Sequence, residues 1–522
     1  MNSRTRPASA SGSSSGPGSA IGTVVVAGGS VGGMLAAAAV APHARRVIVL
    51  ERDDLEAGVR TGTPQSEHSH GVLISGREAI ESLLPGFVAD LMAQGAHGEK
   101  EFGESCYVYV GGGRLAECRL GRRGIAVSRG GLEREVRRRV LALPNVELRG
   151  GVDVTGLRAT GGRVVGVTAR RRDDADEATA VADIDADLVV DATGRSGRAA
   201  RWFEALGRSA PTEERIKVGV RYVTTHVPAV EGDLDDHFVV ISGAVPEVPR
   251  GGVALCQEDD TWTLTLFGYN DNPPPTDPQG LRDFAATVVS PELAELLEGR
   301  TELHEPHTYR FADCRRRRFD QAEPLPGYLP IGDAISSLDP TLGQGMSVTA
   351  LEAKALRTAL DAGGDVEAKY LKQVHKIVDG AWQLMAGAVL ALPGVEGQAP
   401  PGPAWIDGYV QQVQRLARAD PALAVAMLRV INLLKPPQSL LAPQVAGRVA
   451  VLLLRERFGR GRRTAAGPGT PAATDSAAAT DSAATDSASG ADSAGPVRPV
   501  SVPGTPVDAS APERVLPRTG PR

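Results

Sequence analysis

Short β-branched runs, glycine turns and helix-spaced apolar stretches alternate along most of the chain, and their periods predict its elements. The first set reads as a strand at 23–27, a glycine turn at 28–33, a helix over 31–43 and a strand at 47–50. A helical pattern follows at 77–95. Runs at 107–110 and 114–120 flank Gly111-Gly112-Gly113 and predict a hairpin. A strand at 125–128 leads into a helix through Val140, whose Arg134, Arg137, Arg138 and Arg139 read as a solvated face. Strands at 146–149, 152–159, 163–171 and 180–184 include a small meander with an exposed acidic loop at 173–177, and a buried strand at 187–190 precedes Asp191-Ala-Thr-Gly194.

The character changes over 212–312. Strand-like runs at 217–225, 238–242, 252–256 and 261–267 alternate with Pro- and Gly-rich loops, and a helical stretch follows near 279–298. That pattern predicts a mostly antiparallel sheet. A buried strand at 328–331 and a long helix at 344–360 come next. From 366 to 457 the pattern is helical, broken by the Pro-rich 393–403 and 435–438. The apolar stretch at 449–454 suits a buried core helix and a membrane-surface helix equally well.

Composition sets the outer limits. Residues 1–20 and 461–522 are dominated by Ser, Ala, Gly, Pro, Thr and Asp, too poor in apolar side chains to offset ordering entropy, and are expected to be disordered. The division is therefore a leader at 1–20, an α/β domain in two parts (21–211 and 313–365), an inserted sheet domain at 212–312, a helical region at 366–460 and a tail at 461–522. The net charge of −6 offers no global case for nucleic acid or an anionic membrane. No run of about 18 apolar residues predicts an integral membrane segment, and the leader lacks the apolar core of a signal peptide. The four cysteines, Cys106, Cys118, Cys256 and Cys314, show no paired or metal-like spacing, which fits a reduced cytoplasm. Oligomeric state is not legible.

Chemistry enters at the first turn. Gly28-x-Ser30-x-x-Gly33 is a variant of the dinucleotide fingerprint: Gly28 allows the sharp bend, Gly33 allows close helix–strand packing, and the helix start faces a pyrophosphate. Ser30 adds a hydroxyl where the phosphate approaches. Glu51 follows Gly28 by 23 positions, where a carboxylate takes both hydroxyls of an adenosine ribose and repels a 2′-phosphate, so FAD and NAD fit better than NADP. Some 300 residues later a strand delivers Gly332-Asp333, whose carboxylate can accept from a polyol hydroxyl. A turn at Asp339-Pro340 then leads to Gly343-Gln344-Gly345-Met346 at a helix start, able to stabilise negative charge. A ribityl chain belongs to FAD and not to NAD. His68 and His70 lack a third ligand in sequence and do not make a metal site. Arg315–Arg318 reads as a solvated loop before the buried strand.

The combination of Gly28-Gly29-Ser30-Val31-Gly32-Gly33, Glu51, Asp191-Ala-Thr-Gly194 and Gly332-Asp333 with Pro340, Gly343 and Gly345 resembles the FAD-dependent monooxygenases of the p-hydroxybenzoate hydroxylase type. The resemblance implies a glutathione-reductase-type, Rossmann-like FAD-binding domain carrying the antiparallel substrate domain as an insertion. It implies that the glycine turn, Glu51 and Arg52 hold the ADP half of non-covalent FAD. Asp333 would be the ribityl ligand, Pro340, Gly343, Gly345 and Met346 would lie beside the isoalloxazine, and Asp191 and Gly194 would adjoin the cofactor. Ser128-Arg129-x-x-Leu132 matches the family's Arg-x-x-Leu helix start, which brings Arg129 to the ribityl or phosphate region. The segment Arg60-x-Gly62-x-Pro64-Gln65-x-x-His68-x-His70-Gly71 is similar to a loop of the actinobacterial branch that includes polyether-type polyene epoxidases, placing Arg60, Gln65 and His70 at the flavin. Two positions depart from aromatic hydroxylases: Asp191-Ala-Thr-Gly194 replaces an Asp-Gly motif, and Ser347 stands where many relatives have Asn.

The implied reaction is oxygen transfer from a flavin C4a-hydroperoxide, formed with O2 and a transiently bound NAD(P)H, to a lipophilic polyene, polyketide or terpenoid in secondary-metabolite (antibiotic) biosynthesis. The cofactor carries the chemistry, and no residue is assigned as a protein acid or base. The alternatives are an FAD dehydrogenase or double-bond reductase of the geranylgeranyl-reductase kind, and a flavin-binding scaffold.

Overall fold

The computed structural model describes residues 21–54, 68–98, 100–172, 181–300, 303–403 and 405–464. Its organising layer is a five-stranded parallel sheet in the order Tyr328–Pro330, Leu188–Asp191, β1 (Ile21–Ala27), β2 (Ala44–Leu50) and Val146–Arg149. Apart from the half-buried edge strand Val146–Arg149, these strands hold buried runs such as Val24–Ala27, Val47–Leu50 and Leu188–Asp191, which is why they read as unbroken apolar stretches. Val24–Ala27 sits in register with Leu188–Asp191 on one side and Val47–Leu50 on the other. Between β1 and β2 runs helix α1 (Val31–Val40), buried at every residue except Gly32. Its alanines allow close packing against helix Gly345–Asp361 and the sheet. The helix predicted over 31–43 ends at Val40, because Pro42 lacks an N–H and the chain tightens into the 3-10 turn Ala41–His43. A three-stranded meander, Val152–Thr160, Arg163–Arg171 and Val181–Asp185, adjoins this layer.

The second layer is the expected antiparallel sheet. Its long strand Glu213–Pro228 pairs with Thr261–Tyr269 on one side and His307–Arg317 on the other, with a bulge at Lys217–Val220. Arg250–Cys256 and Val239–Ser242 continue the sheet, and Cys106–Val110 joins Val239–Ser242 in parallel. Alternation sorts the side chains. Val223, Leu264, Leu266 and Ala254 pack against Leu281, Phe284 and Leu293, while Tyr222, Thr224, Thr265, Phe267, Tyr309 and Phe311 share the opposite face through cross-strand pairs such as Tyr222–Tyr309 and Thr224–Thr265. The helices Val366–Val389, Trp405–Ala417, Pro421–Ile431 and Pro443–Thr464 complete the α/β architecture, broken at the two Pro-rich segments.

Several elements differ from the sequence expectations. The helix predicted at 77–95 is two, Ile74–Leu83 and Phe87–Ala93, split at Leu84-Pro85-Gly86 where Gly86 takes a φ of 86°. The hairpin's second strand is only Gly113–Arg114, because the Ala116 N–H donates instead to the Ala417 carbonyl of a distant helix. The run at 125–128 forms no strand; Ala126 makes an isolated bridge with His97. The stretch at 279–298 resolves into Pro278–Ala285 and Glu292–Glu295.

Arg315–Arg318 is not a solvated loop. The strand His307–Arg317 carries Arg316 and Arg317 into the interior, at 4% and 5% exposure. Their charge is compensated there: Arg316 pairs with Asp379, and Arg317 Nη1 donates to the carbonyls of Asp333 and Ala334 at 3.1 and 3.0 Å. On the predicted basic helix face, Arg138 and Arg139 are bound by Glu135 and Asp90, so it is an ion-pair cluster. The helix Pro443–Thr464 runs four residues into the tail expected from 461; the rest of that tail, the expected leader at 1–20 and the loop at 173–177 lie outside the described residues.

Candidate functional site

At the end of β1 the chain turns so tightly that only glycine fits. Gly28 has a φ of 112°, and a Cβ there would lie 2.4 Å from the Ala192 carbonyl oxygen. A Cβ at Gly33 would lie 1.8 Å from the Gly28 carbonyl oxygen. Ser30 is the extended N-cap of α1 and makes no side-chain cap bond, which leaves the first-turn N–H groups directed outward. Glu51, at the end of β2, is locked in place: Gly29 N–H donates to Oε2 at 2.7 Å and Asp53 N–H to Oε1 at 3.0 Å.

The strand Tyr328–Pro330 delivers the second cluster. Gly332, at a φ of 65°, donates its N–H to Glu352 Oε2 at 2.6 Å. Asp333 stands at the wall of the cavity. Burial raises its carboxyl pKa, and Arg195, Arg129, a hydrogen bond from Ser337 and Arg317 oppose that shift. Farther on, buried Asp339 accepts from Thr341 N–H at 2.9 Å and from the Tyr269 hydroxyl at 3.0 Å, pinning the turn at Pro340–Leu342. Helix Gly345–Asp361 then begins without a side-chain cap. A Cβ at Gly343 or Gly345 would meet open space.

These groups face one cavity of about 460 Å³. Gly28, Ser30, Val31, Glu51, Arg52, His70, Arg129, Gly194, Gly332, Asp333, Pro340, Gly343, Gly345 and Met346 all line it. Gly29 and Gly33 stand behind the turn, outside the lining. Asp191 does not reach the cavity: its carboxylate accepts from Thr193 N–H and Oγ1 at 2.9 and 2.6 Å and from the Tyr328 hydroxyl at 2.8 Å, which fixes the strand ends from within. Ser347 also faces away, accepting from Leu73 N–H at 2.9 Å. Arg60 and Gln65 lie outside the described residues.

The opposite wall comes from the antiparallel sheet: Tyr222, Thr265, Phe267, Tyr309 and Phe311. His68 packs edge-on to Tyr222 with ring centroids 4.6 Å apart, and its Nδ1 lies 2.7 Å from Thr224 Oγ1. Burial pushes its pKa down to about 4, and that of His70 down to about 3, so both imidazoles are neutral near pH 7. His70 Nδ1 donates to the His68 carbonyl at 2.7 Å.

Two residues escaped sequence reasoning. Arg195 pairs with Asp313 and lies 4.3 Å from the Phe311 ring centroid; its signal was a lone arginine inside Gly194-Arg-Ser-Gly197. Glu352 is fully buried beneath Gly332, and nothing in a helical pattern marks it. Burial raises its pKa to about 8. From about pH 4.5 to about pH 8 the folded state therefore keeps a proton that the unfolded state releases, so stability falls as pH rises through that window. Glu352→Gln keeps the acceptor for Gly332 and is expected to flatten this loss, as read by urea unfolding at about pH 5 and about pH 8.5. An unchanged slope would refute the assignment.

Among the described residues no cluster of three His, Cys, Asp or Glu side chains is arranged to hold a metal, and no helix is long and apolar enough to cross a membrane. No protein-family model matches the chain. The fold is that of the flavin-dependent brominase Bmp2, with a TM-score of 0.57 at 15% identity over 84% of this chain and 99% of that one. It is also that of the p-nitrophenol 4-monooxygenase PnpA from Pseudomonas putida, with a TM-score of 0.55 at 16% identity over 79% and 98%. In sequence the chain is 32% identical over 446 residues to Protein Rv3254 of Mycobacterium tuberculosis, spanning 83% of this chain and 94% of that protein. With nearly all of that protein matched, the chain belongs to the family of Protein Rv3254 and has the fold shared by flavin-dependent monooxygenases and brominases.

Proposed function

We propose that the cavity binds FAD non-covalently and that the protein is an FAD-dependent monooxygenase of a lipophilic small molecule. The observation that carries this reading is the convergence of two uncapped helix starts, α1 and Gly345–Asp361, on one cavity that Asp333 also lines. Each start offers unpaired N–H groups and positive potential. Their glycines leave room for close approach by a phosphate or a flat ring. In this reading Glu51 takes the adenosine ribose, the Gly28–Gly33 turn and Arg129 the phosphates, Asp333 the ribityl chain, and Pro340, Gly343 and Gly345 the flavin edge.

FAD in this place, reduced by NAD(P)H, supplies oxygen-atom transfer from O2. The remaining work falls to the chain. Tyr222, Phe267, Tyr309 and Phe311 present an apolar wall that holds a lipophilic substrate and excludes water. Neutral His68, held by Thr224, adds a hydrogen-bonding group without charge. Epoxidation or hydroxylation of a polyene, polyketide or terpenoid suits such a wall.

The test is purification followed by flavin absorbance, then NADH and NADPH oxidation with candidate substrates under O2 and mass analysis of products. A bound flavin and a product heavier by one oxygen are expected. Product differing by two hydrogens would instead identify a dehydrogenase or reductase, and protein that takes up no FAD would end the proposal.

A further inference from the structure

The last described helix, Pro443–Thr464, buries one face and leaves the other open. Val449 is buried, and Leu452 packs against the apolar cluster that includes Leu416, Leu423 and Leu428 of other helices. On the open side Val451, Leu454 and Phe458 are 47%, 52% and 71% exposed. Their spacing of three and four residues puts them on one stripe. The apolar sequence around 449–454 is thus not explained by core packing alone.

Charge identifies what suits this stripe. Arg455 and Arg457 flank it, both exposed, and among the described residues neither makes an ion pair. Glu456 is engaged by Arg415 at 2.8 Å. The sequence continues with Arg460, Arg462 and Arg463. A second ion pair joins Arg448 to Asp420, the N-cap of Pro421–Ile431. A helix with large exposed apolar side chains and flanking arginines has the chemistry of an interfacial helix. Pairing this face with a second copy would set the same arginines against one another. The chain's net charge of −6 gives no global attraction to an anionic bilayer, so the contact rests on this local patch.

We propose that the exposed face of helix Pro443–Thr464 docks on anionic membrane surfaces, inserting Leu454 and Phe458 between headgroups whose phosphates are met by Arg455 and Arg457. The contact is peripheral, and it is independent of the flavin reading.

The experiment is co-sedimentation of the full-length protein with phosphatidylcholine vesicles, with and without phosphatidylglycerol. Binding is expected only when phosphatidylglycerol is present, weakening as salt is raised. Leu454→Glu with Phe458→Glu is expected to abolish it, and Arg455→Gln with Arg457→Gln to weaken it by about tenfold or more. The patch is exposed, so circular dichroism of these variants should match the parent. Three results would overturn the proposal: no binding to either vesicle, equal binding to both, or binding that survives Leu454→Glu with Phe458→Glu. A dimer that the same pair of substitutions dissolves, without vesicle binding, would assign the face to a second copy instead.

Discussion

Asp333→Ala is expected to yield folded protein that purifies without flavin colour. The side chain stands at the cavity wall, and its structural partners keep other bonds: Arg195 also pairs with Asp313, Ser337 also accepts from Arg195, and Arg317 donates to the Asp333 backbone carbonyl, which alanine retains. Stability should therefore change little. What is removed is a carboxylate placed to accept from a polyol hydroxyl, with a favourable field from Arg195 and Arg129. A hydrogen bond to a charged group contributes about 1.5–3 kcal/mol, so FAD affinity should fall by about 10- to 150-fold. Fluorescence titration of apoprotein measures this directly, with circular dichroism as the control for folding. Equal affinity in the two proteins would remove Asp333 from the cofactor site.

The second large effect is expected at Gly33. An added Cβ would sit 1.8 Å from the Gly28 carbonyl oxygen, a backbone atom that cannot swing aside. Gly33→Ala must therefore open the turn between β1 and α1, at a cost typical of overpacking, about 1–3 kcal/mol. Movement of the turn also misdirects the N–H groups at the start of α1, so FAD binding should weaken together with the melting temperature. Gly345→Ala is the informative contrast. A Cβ there meets no atom within 4 Å, so the melting temperature of the apoprotein should hold while FAD binding weakens from steric contact at the flavin edge. If Gly33→Ala left both stability and FAD binding unchanged, the close turn described here would be wrong.

Much of the α/β layer was legible because its cues are local. A parallel strand buried on both faces must be apolar at successive positions, as in Val24–Ala27 and Val47–Leu50, and a turn this tight must be glycine. The spacing from Gly28 to Glu51 follows from one strand–helix–strand unit. The end of the strand Tyr328–Pro330 could be recognised by Gly332-Asp333, although the sequence could not show that it lies beside Leu188–Asp191. Local signals erred where a distant partner decided the outcome. Ala116 left its hairpin for the Ala417 carbonyl, and Arg316 entered the interior because Asp379, 63 residues away, compensates it. Asp191 carried a motif's signature but is consumed by Thr193 and Tyr328.

The sequence by itself determined the strand–turn–helix beginning at β1, the glycines it requires, the acidic residue that closes the unit and the helix start after Asp339. Each depends on backbone geometry within a few tens of residues. Only the tertiary structure decided that these pieces face one cavity, that Tyr222, Phe267, Tyr309 and Phe311 form its far wall, and that Glu352 lies under Gly332. It also decided which side of Pro443–Thr464 is open. The reason is physical: periodicity records that a residue has a preferred face, whereas burial and charge compensation depend on partners brought close by strand register and helix packing across hundreds of residues.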